Sequence, residues 1–390
     1  MTDQAPPLVT MLAELVGTLS VSSVTPDFDC SNRPLVELLA GWLESAGFRA
    51  EILPIPGHPD KFNLLGTLGS GPGGLVLSGH TDTVPFDAPL WSHDPLALTE
   101  ADGRYYGLGI ADMKSFFALA LEAARGLSAK DLDRPLMILA TADEESAMHG
   151  ARALVAAGRP LGRHAVIGEP TGLRPVRMHK GVMGESVRLI GRSGHASDPS
   201  LGNNALEGMH QVLASVLAMR EALQRDHHHP AFKVPHPTIN LGHIHGGDNP
   251  NRICGECELH LDLRVLPGQD PADLRAELAR RVAEVGDRRG LQWSVEPLFE
   301  AIPPAETPAD ADIVRACEAL TGHAAEAVNF GTEAPFLNQL GMDTLVLGPG
   351  DIAQAHQPDE YLALDRIDPM LGILRSLIQR FCMSHPKAPD

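Results

Sequence analysis

Two histidines and five carboxylates stand at places in this chain where their side chains could meet. His80 and Asp82 belong to GHTD, directly after an apolar run at residues 75–77. On an extended chain residues i and i+2 point to one side, so a metal-binding imidazole and a supporting carboxylate suit this spacing. Asp112 follows Gly107-Leu-Gly-Ile-Ala and precedes an apolar helix, where capping is the ordinary use of Asp. Glu144 and Glu145 follow the run at 136–140, Glu169 follows the run at 165–167, and His356 lies beyond the run at 344–347. An adjacent Glu pair is usually solvated surface, and a loop histidine is unremarkable. Taken singly, each residue is weak ground for a function.

The elements that carry them change the argument. The four runs read as buried strands, each followed at once by polar residues and separated by helical patterns, which implies a largely parallel sheet. Ligands of such sheets bind beyond the carboxyl ends of the strands, and all seven groups fall at that end. So many like charges in one crevice repel strongly unless cations neutralise them. Imidazole with carboxylate suits zinc, with cobalt or manganese chemically allowed. One catalytic zinc takes three protein ligands and a water, too few for this set. Two metals about 3.5–4 Å apart, sharing a carboxylate and a water, fit the count.

At 390 residues, two domains are expected. Hydrophobic residues make up 43%, yet no apolar run approaches the roughly 18 residues needed to cross a bilayer, so no membrane role is expected. The stretch Met1–Leu8 carries Asp3 and two prolines where a secretory signal needs a basic and then an apolar region, which points to the cytoplasm. A net charge of −19 argues against nucleic acid as a partner. Five scattered cysteines read as reduced thiols. Cys254 and Cys257 form a lone CxxC on an apparent strand, where i and i+3 point to opposite faces, so both read as structural. The run His227–His229 reads as a solvated loop.

Helical spacing appears at Leu8, Met11, Leu12, Leu15 and Leu19, and again at Leu35, Leu38, Leu39, Trp42 and Leu43. Between 182 and 297 the pattern becomes strand 185–190, helix 205–223, strands 238–244 and 258–265, helix 271–285 and strand 291–295. That order is βαββαβ, the split βαβ arrangement. The expectation is a discontinuous catalytic domain, residues 1–181 and 298–390, with a small α+β domain inserted at 182–297.

The stretches GHTDTVP, GLGIADMK, ATADEES, IGEPT and AHQPDEY resemble the dinuclear zinc family of aminoacylases, carboxypeptidases and deacylases, from about residue 60 to about residue 365. The resemblance implies a zinc-peptidase-like α/β catalytic domain and a ferredoxin-like insert serving as lid and dimerisation domain, hence a homodimer. It implies two Zn²⁺ per chain, His80 and Glu169 on one, Glu145 and His356 on the other, and Asp112 bridging. Glu144 would be the general base, and Asp82 would orient His80. In SGHASDP, His195 looks like the family histidine that donates to the oxyanion in a partner subunit's site; by itself it reads as a loop residue beside Ser193 and Ala196. Arg264 would grip a substrate carboxylate, or else form a sheet-surface ion pair. Asn251, Gly331 and Thr332 look like further substrate contacts. A carboxylate at Glu333 could offset a substrate ammonium or cap the following helix. The wording around these motifs implies hydrolysis of N2-acetyl-L-ornithine to L-ornithine and acetate, a step of arginine biosynthesis. Removal of succinate from succinyl-diaminopimelate, or hydrolysis of another N-acyl amino acid or a dipeptide, is the alternative. A non-catalytic metal-binding or amino-acid-binding relic is a third reading, against which the retained Glu144 speaks.

Overall fold

Side chains that exclude water on both faces determine the central sheet. Leu75, Val76, Leu77, Ala165, Val166, Ile167 and Leu345 are fully buried in the computed structural model, which describes residues 5–383. Asp3 and the rest of the first four residues lie outside that range. Strands Leu136–Thr141, Leu75–His80, His164–Ile167 and Asp343–Val346 pair in that order, all parallel. The antiparallel hairpin Arg49–Ile55 and His58–Leu68 extends the sheet beyond Leu136–Thr141. The parallel strands therefore deliver their carboxyl ends to one edge, where His80, Glu144–Glu145, Glu169 and the loop to His356 emerge. Helix Ser115–Ala123 is buried along nearly its whole length. A separate sheet of three short strands joins Tyr361–Ala363 to Arg104–Tyr106, and Arg104–Tyr106 to Thr99–Ala101.

The chain divides into two units, one of residues 1–177, 307–326 and 332–390, the other of residues 178–306 and 327–331. In the second unit, strands Gly181–Ile190, Thr238–Gly246, Glu256–Val265 and Gln292–Ile302 alternate with helices Ala205–Asp226 and Pro271–Arg289. The sheet order Thr238, Glu256, Gly181, Gln292 is wholly antiparallel, as a split βαβ unit requires. Cys257, Leu259, Leu261, Leu263 and Val265 alternate inward onto Met209, Val212, Leu278 and Val282 of the helices. Asp270 caps the second helix, accepting the Ala272 N–H at 2.8 Å. Cys254 and Cys257 do not take opposite faces. The strand begins only at Glu256, so Cys254 lies outside it and turns into the same core, with its thiol on the Glu256 carbonyl at 3.1 Å.

Candidate metal centre

His80 closes its strand almost wholly buried, with Nε2 3.2 Å from Asp112 Oδ1 and 3.8 Å from Glu169 Oε1. His356 Nε2 lies 3.0 Å from Glu145 Oε1 and 3.5 Å from Asp112 Oδ2. Asp112 thus turns one oxygen to each histidine, with Glu169 on the first side and Glu145 on the second. The ligand atoms of His80, Asp112 and Glu145 fall within 4.8 Å of one another, and so do those of His80, Glu144 and Glu169. Glu144 stands inside the cluster, beside His80 and Glu169.

Asp82 supports His80 differently from the i, i+2 expectation. The backbone carbonyl of Asp82 lies 3.0 Å from His80 Nδ1, whereas its carboxylate Oδ1 is 3.8 Å away. The chain leaves the strand at His80, and two residues on the Asp82 carbonyl turns back to the ring. A carbonyl only accepts, which places a proton on Nδ1 and makes Nε2, the nitrogen facing Asp112 and Glu169, the one that could bind a cation after giving up its own proton. The Asp82 carboxylate instead accepts the Glu145 N–H at 3.0 Å, tying the GHTD turn to the paired glutamates.

The charges strain one another as a shared crevice requires. Burial, then the charge of Asp112, pushes Glu169 well above the carboxylate range, and burial does the same to Glu144. Burial opposes ionisation of Asp112, but hydrogen bonds from His356 and His80 overcome it and hold its pKa well below the usual value. Hydrogen bonding to Asp112, then to Glu145, raises His356 to about 10. Buried Glu169 Oε1 and Asp82 Oδ1 have no hydrogen-bond partner. Carboxylate oxygens and imidazole nitrogens converging here fit a divalent cation. In a second cluster the ligand atoms of His58, Asp143 and His149 also lie within 4.8 Å of one another. Its aspartate is already matched, by Lys61 Nζ at 2.9 Å and His149 Nδ1 at 2.7 Å. We read it as an ion-paired brace behind Glu144.

Two buried charged neighbours of the site have no counterpart in the sequence reading. Glu360 accepts N–H bonds from Gly109, Ala111 and Asp112. Lys114, fully buried, donates to the carbonyls of Leu15 and Thr18, and burial lowers it to about 8. Both lie within quoted motifs, AHQPDEY and GLGIADMK, but only three-dimensional partners reveal their use.

Glu333 departs from the expectation of a group that reads a substrate ammonium. It is fully buried, its Oε2 lies 2.8 Å from Thr141 Oγ1, and its Oε1 is shut from solvent without a partner. Nor does it cap the short helix Ala334–Gln339; Thr332, also buried, accepts the Ala334 N–H at 3.1 Å. Burial raises Glu333 to about 7. A side chain that water cannot reach offers no face to a substrate cation. Glu333→Gln therefore leaves the ratio of kcat/KM for acetylornithine over acetylmethionine within about twofold of wild type, since about 0.4 kcal/mol separates twofold rates. A selective loss on acetylornithine in steady-state kinetics would restore the ammonium reading.

The remaining candidates belong to the second unit. His195 is exposed, and its Nδ1 accepts the Ser197 N–H at 3.2 Å, leaving Nε2 as the protonated donor. The Asn251 carbonyl accepts the Ala196 N–H at 2.9 Å, bringing those two segments together. Arg264 Nε and Nη2 pair with Asp262 at 2.9 and 3.1 Å, the ion-pair arrangement. Gly331 is half-buried at the end of the 327–331 segment.

The model of Peptidase family M20/M25/M40 matches residues 76–380. The chain belongs to this family. A relative from Pasteurella multocida (strain Pm70) named acetylornithine deacetylase is 50% identical over 97% of this chain and 98% of that protein. Among solved structures, an M20 family metallo-carboxypeptidase from Sulfolobus solfataricus superposes with a TM-score of 0.73 at 16% identity, covering 96% of this chain and 99% of that one. A Bacillus subtilis protein named a dinuclear metal binding peptidase from M20 family gives 0.65 at 15% identity, over 95% and 96%. These likenesses show the M20 fold. With the donor set above, M20 membership makes the chain a metal-dependent hydrolase acting on amide bonds, and the cluster a divalent-metal site. No helix among the described residues is long and apolar enough to cross a membrane.

Proposed function

We propose that this M20 hydrolase removes the acetyl group from N2-acetyl-L-ornithine, releasing L-ornithine and acetate. The observation that carries the chemistry is the two-sided Asp112, with a histidine and a glutamate on each side. The relatives named acetylornithine deacetylase, at 47–50% identity over nearly the whole chain, support the substrate.

His80 and Glu169 would hold one Zn²⁺, Glu145 and His356 a second, with Asp112 between them. Bound zinc supplies Lewis acidity toward the acyl oxygen and lowers the pKa of water toward neutrality. Glu144 takes the proton of the attacking water as the C–O bond forms, and returns it to the α-amine as the amide C–N bond then breaks. His195 donates its Nε2–H to the developing oxyanion. Arg264, with Asn251, Gly331 and Thr332, binds the amino-acid part of the substrate; the Nη1 edge of Arg264, away from Asp262, suits the α-carboxylate. The second unit serves as lid and dimerisation domain of a cytoplasmic homodimer. Acetate release from a panel of N-acyl amino acids by zinc-loaded protein tests the reading. Acetylornithine is expected to give the highest kcat/KM, and a preference for succinyl-diaminopimelate overturns the choice of substrate.

A further inference from the structure

Glu360 is buried, and both of its carboxylate oxygens bond to backbone. Oε1 accepts the N–H groups of Ala111 at 2.7 Å and Asp112 at 2.9 Å, and Oε2 accepts that of Gly109 at 2.8 Å. Its own carbonyl accepts the Gly107 N–H at 3.1 Å. One residue therefore gathers four N–H groups of the turn that ends on Asp112. Gly109 has a φ of +74°, and a Cβ there would come within 2.7 Å of Thr83, so the turn's course is tightly constrained. On its other side, Glu360 lies four residues beyond His356 and directly before the strand Tyr361–Ala363, which pairs with Arg104–Tyr106. The chain just before the Asp112 turn and the chain just after the His356 loop are thus tied twice, once by the strand pair and once by this carboxylate.

The geometry points to Glu360 as a positioning residue that holds Asp112 in register with His356, fixing the spacing between the two metal subsites before any ion arrives. The inference rests on the two-ion reading of Asp112. Glu360 acts through the backbone. Its loss leaves three buried N–H groups without their acceptor, and the turn must shift to find others. Because that turn aims both oxygens of Asp112, the shift reaches the metal ligands. Groups that orient metal ligands typically change metal affinity by 10- to 100-fold when removed.

The test is a chelator-competition titration of metal-free protein with Zn²⁺. Glu360→Gln keeps one oxygen but sets an amide NH₂ against an N–H donor; a Zn²⁺ affinity lower by about 10- to 100-fold is expected. The visible spectrum of the Co²⁺-loaded variant should shift with the ligand geometry. Glu185→Gln is the control: Glu185 is a buried carboxylate of the second unit, bonded to Arg275 at 2.8 Å, and its loss should lower stability while leaving Zn²⁺ affinity unchanged. Should Glu360→Gln not fold, Glu360→Asp, charged but one methylene short, is expected to show the same loss. Wild-type Zn²⁺ affinity and an unshifted Co²⁺ spectrum in a folded Glu360 variant overturn the proposal, as does an equal affinity loss in Glu185→Gln. A wild-type stoichiometry of one would defeat the two-ion reading, while the affinity ratio for that ion still decides the clamp.

Discussion

Glu144→Gln is expected to lower kcat by about 10²- to 10⁴-fold while metal content stays at the wild-type level, the range that a positioned proton carrier contributes. Glu144 shares the cluster with His80 and Glu169, but Glu145, not Glu144, hydrogen-bonds His356. The amide of Gln keeps the shape of the side chain and removes only its capacity to accept and return a proton. Glu145→Ala should behave in the opposite sense: it deletes a proposed ligand on the His356 side, so metal content is expected to fall first and activity with it. Steady-state kinetics beside elemental analysis separates the two. Should Glu144→Gln lose metal and Glu145→Ala keep it, the roles must be exchanged.

Removing the metals is expected to abolish turnover altogether. His80 turns Nε2 toward Asp112 and Glu169 because the Asp82 carbonyl holds Nδ1. Without cations the carboxylates of the cluster repel a developing oxyanion. Protons held by His356, raised to about 10, partly neutralise the cluster, and metal uptake must displace them. Metal affinity should accordingly fall as the pH is lowered.

Much of this organisation is legible in the sequence, where burial is continuous along an element. The four parallel strands read as apolar runs because neither face meets water, and the βαββαβ unit reads through because the strands Gly181–Ile190 and Glu256–Val265 and the two helices bury one face each. The hairpin Arg49–Ile55 and His58–Leu68 escapes that reading: its outer strand is half-exposed and contains Pro54, so the alternation is blurred. The Thr99–Ala101 and Arg104–Tyr106 strands are too short to show a period. At the site, residues at strand ends are legible because their position follows from the strand. Asp82 supports His80 through its carbonyl, a backbone choice that side-chain spacing does not reveal. Glu333 and Glu360 look like loop acids in the sequence; their burial depends on Thr141 and on the 107–112 turn, each far away along the chain.

A zinc titration of metal-free protein measures the consequence of the two-sided Asp112 most directly. Acetate release from N2-acetylornithine should be absent without metal and rise to its maximum as zinc reaches about two equivalents per chain, the number the two-metal arrangement requires. Full activity at one equivalent, with no gain from a second, would contradict it.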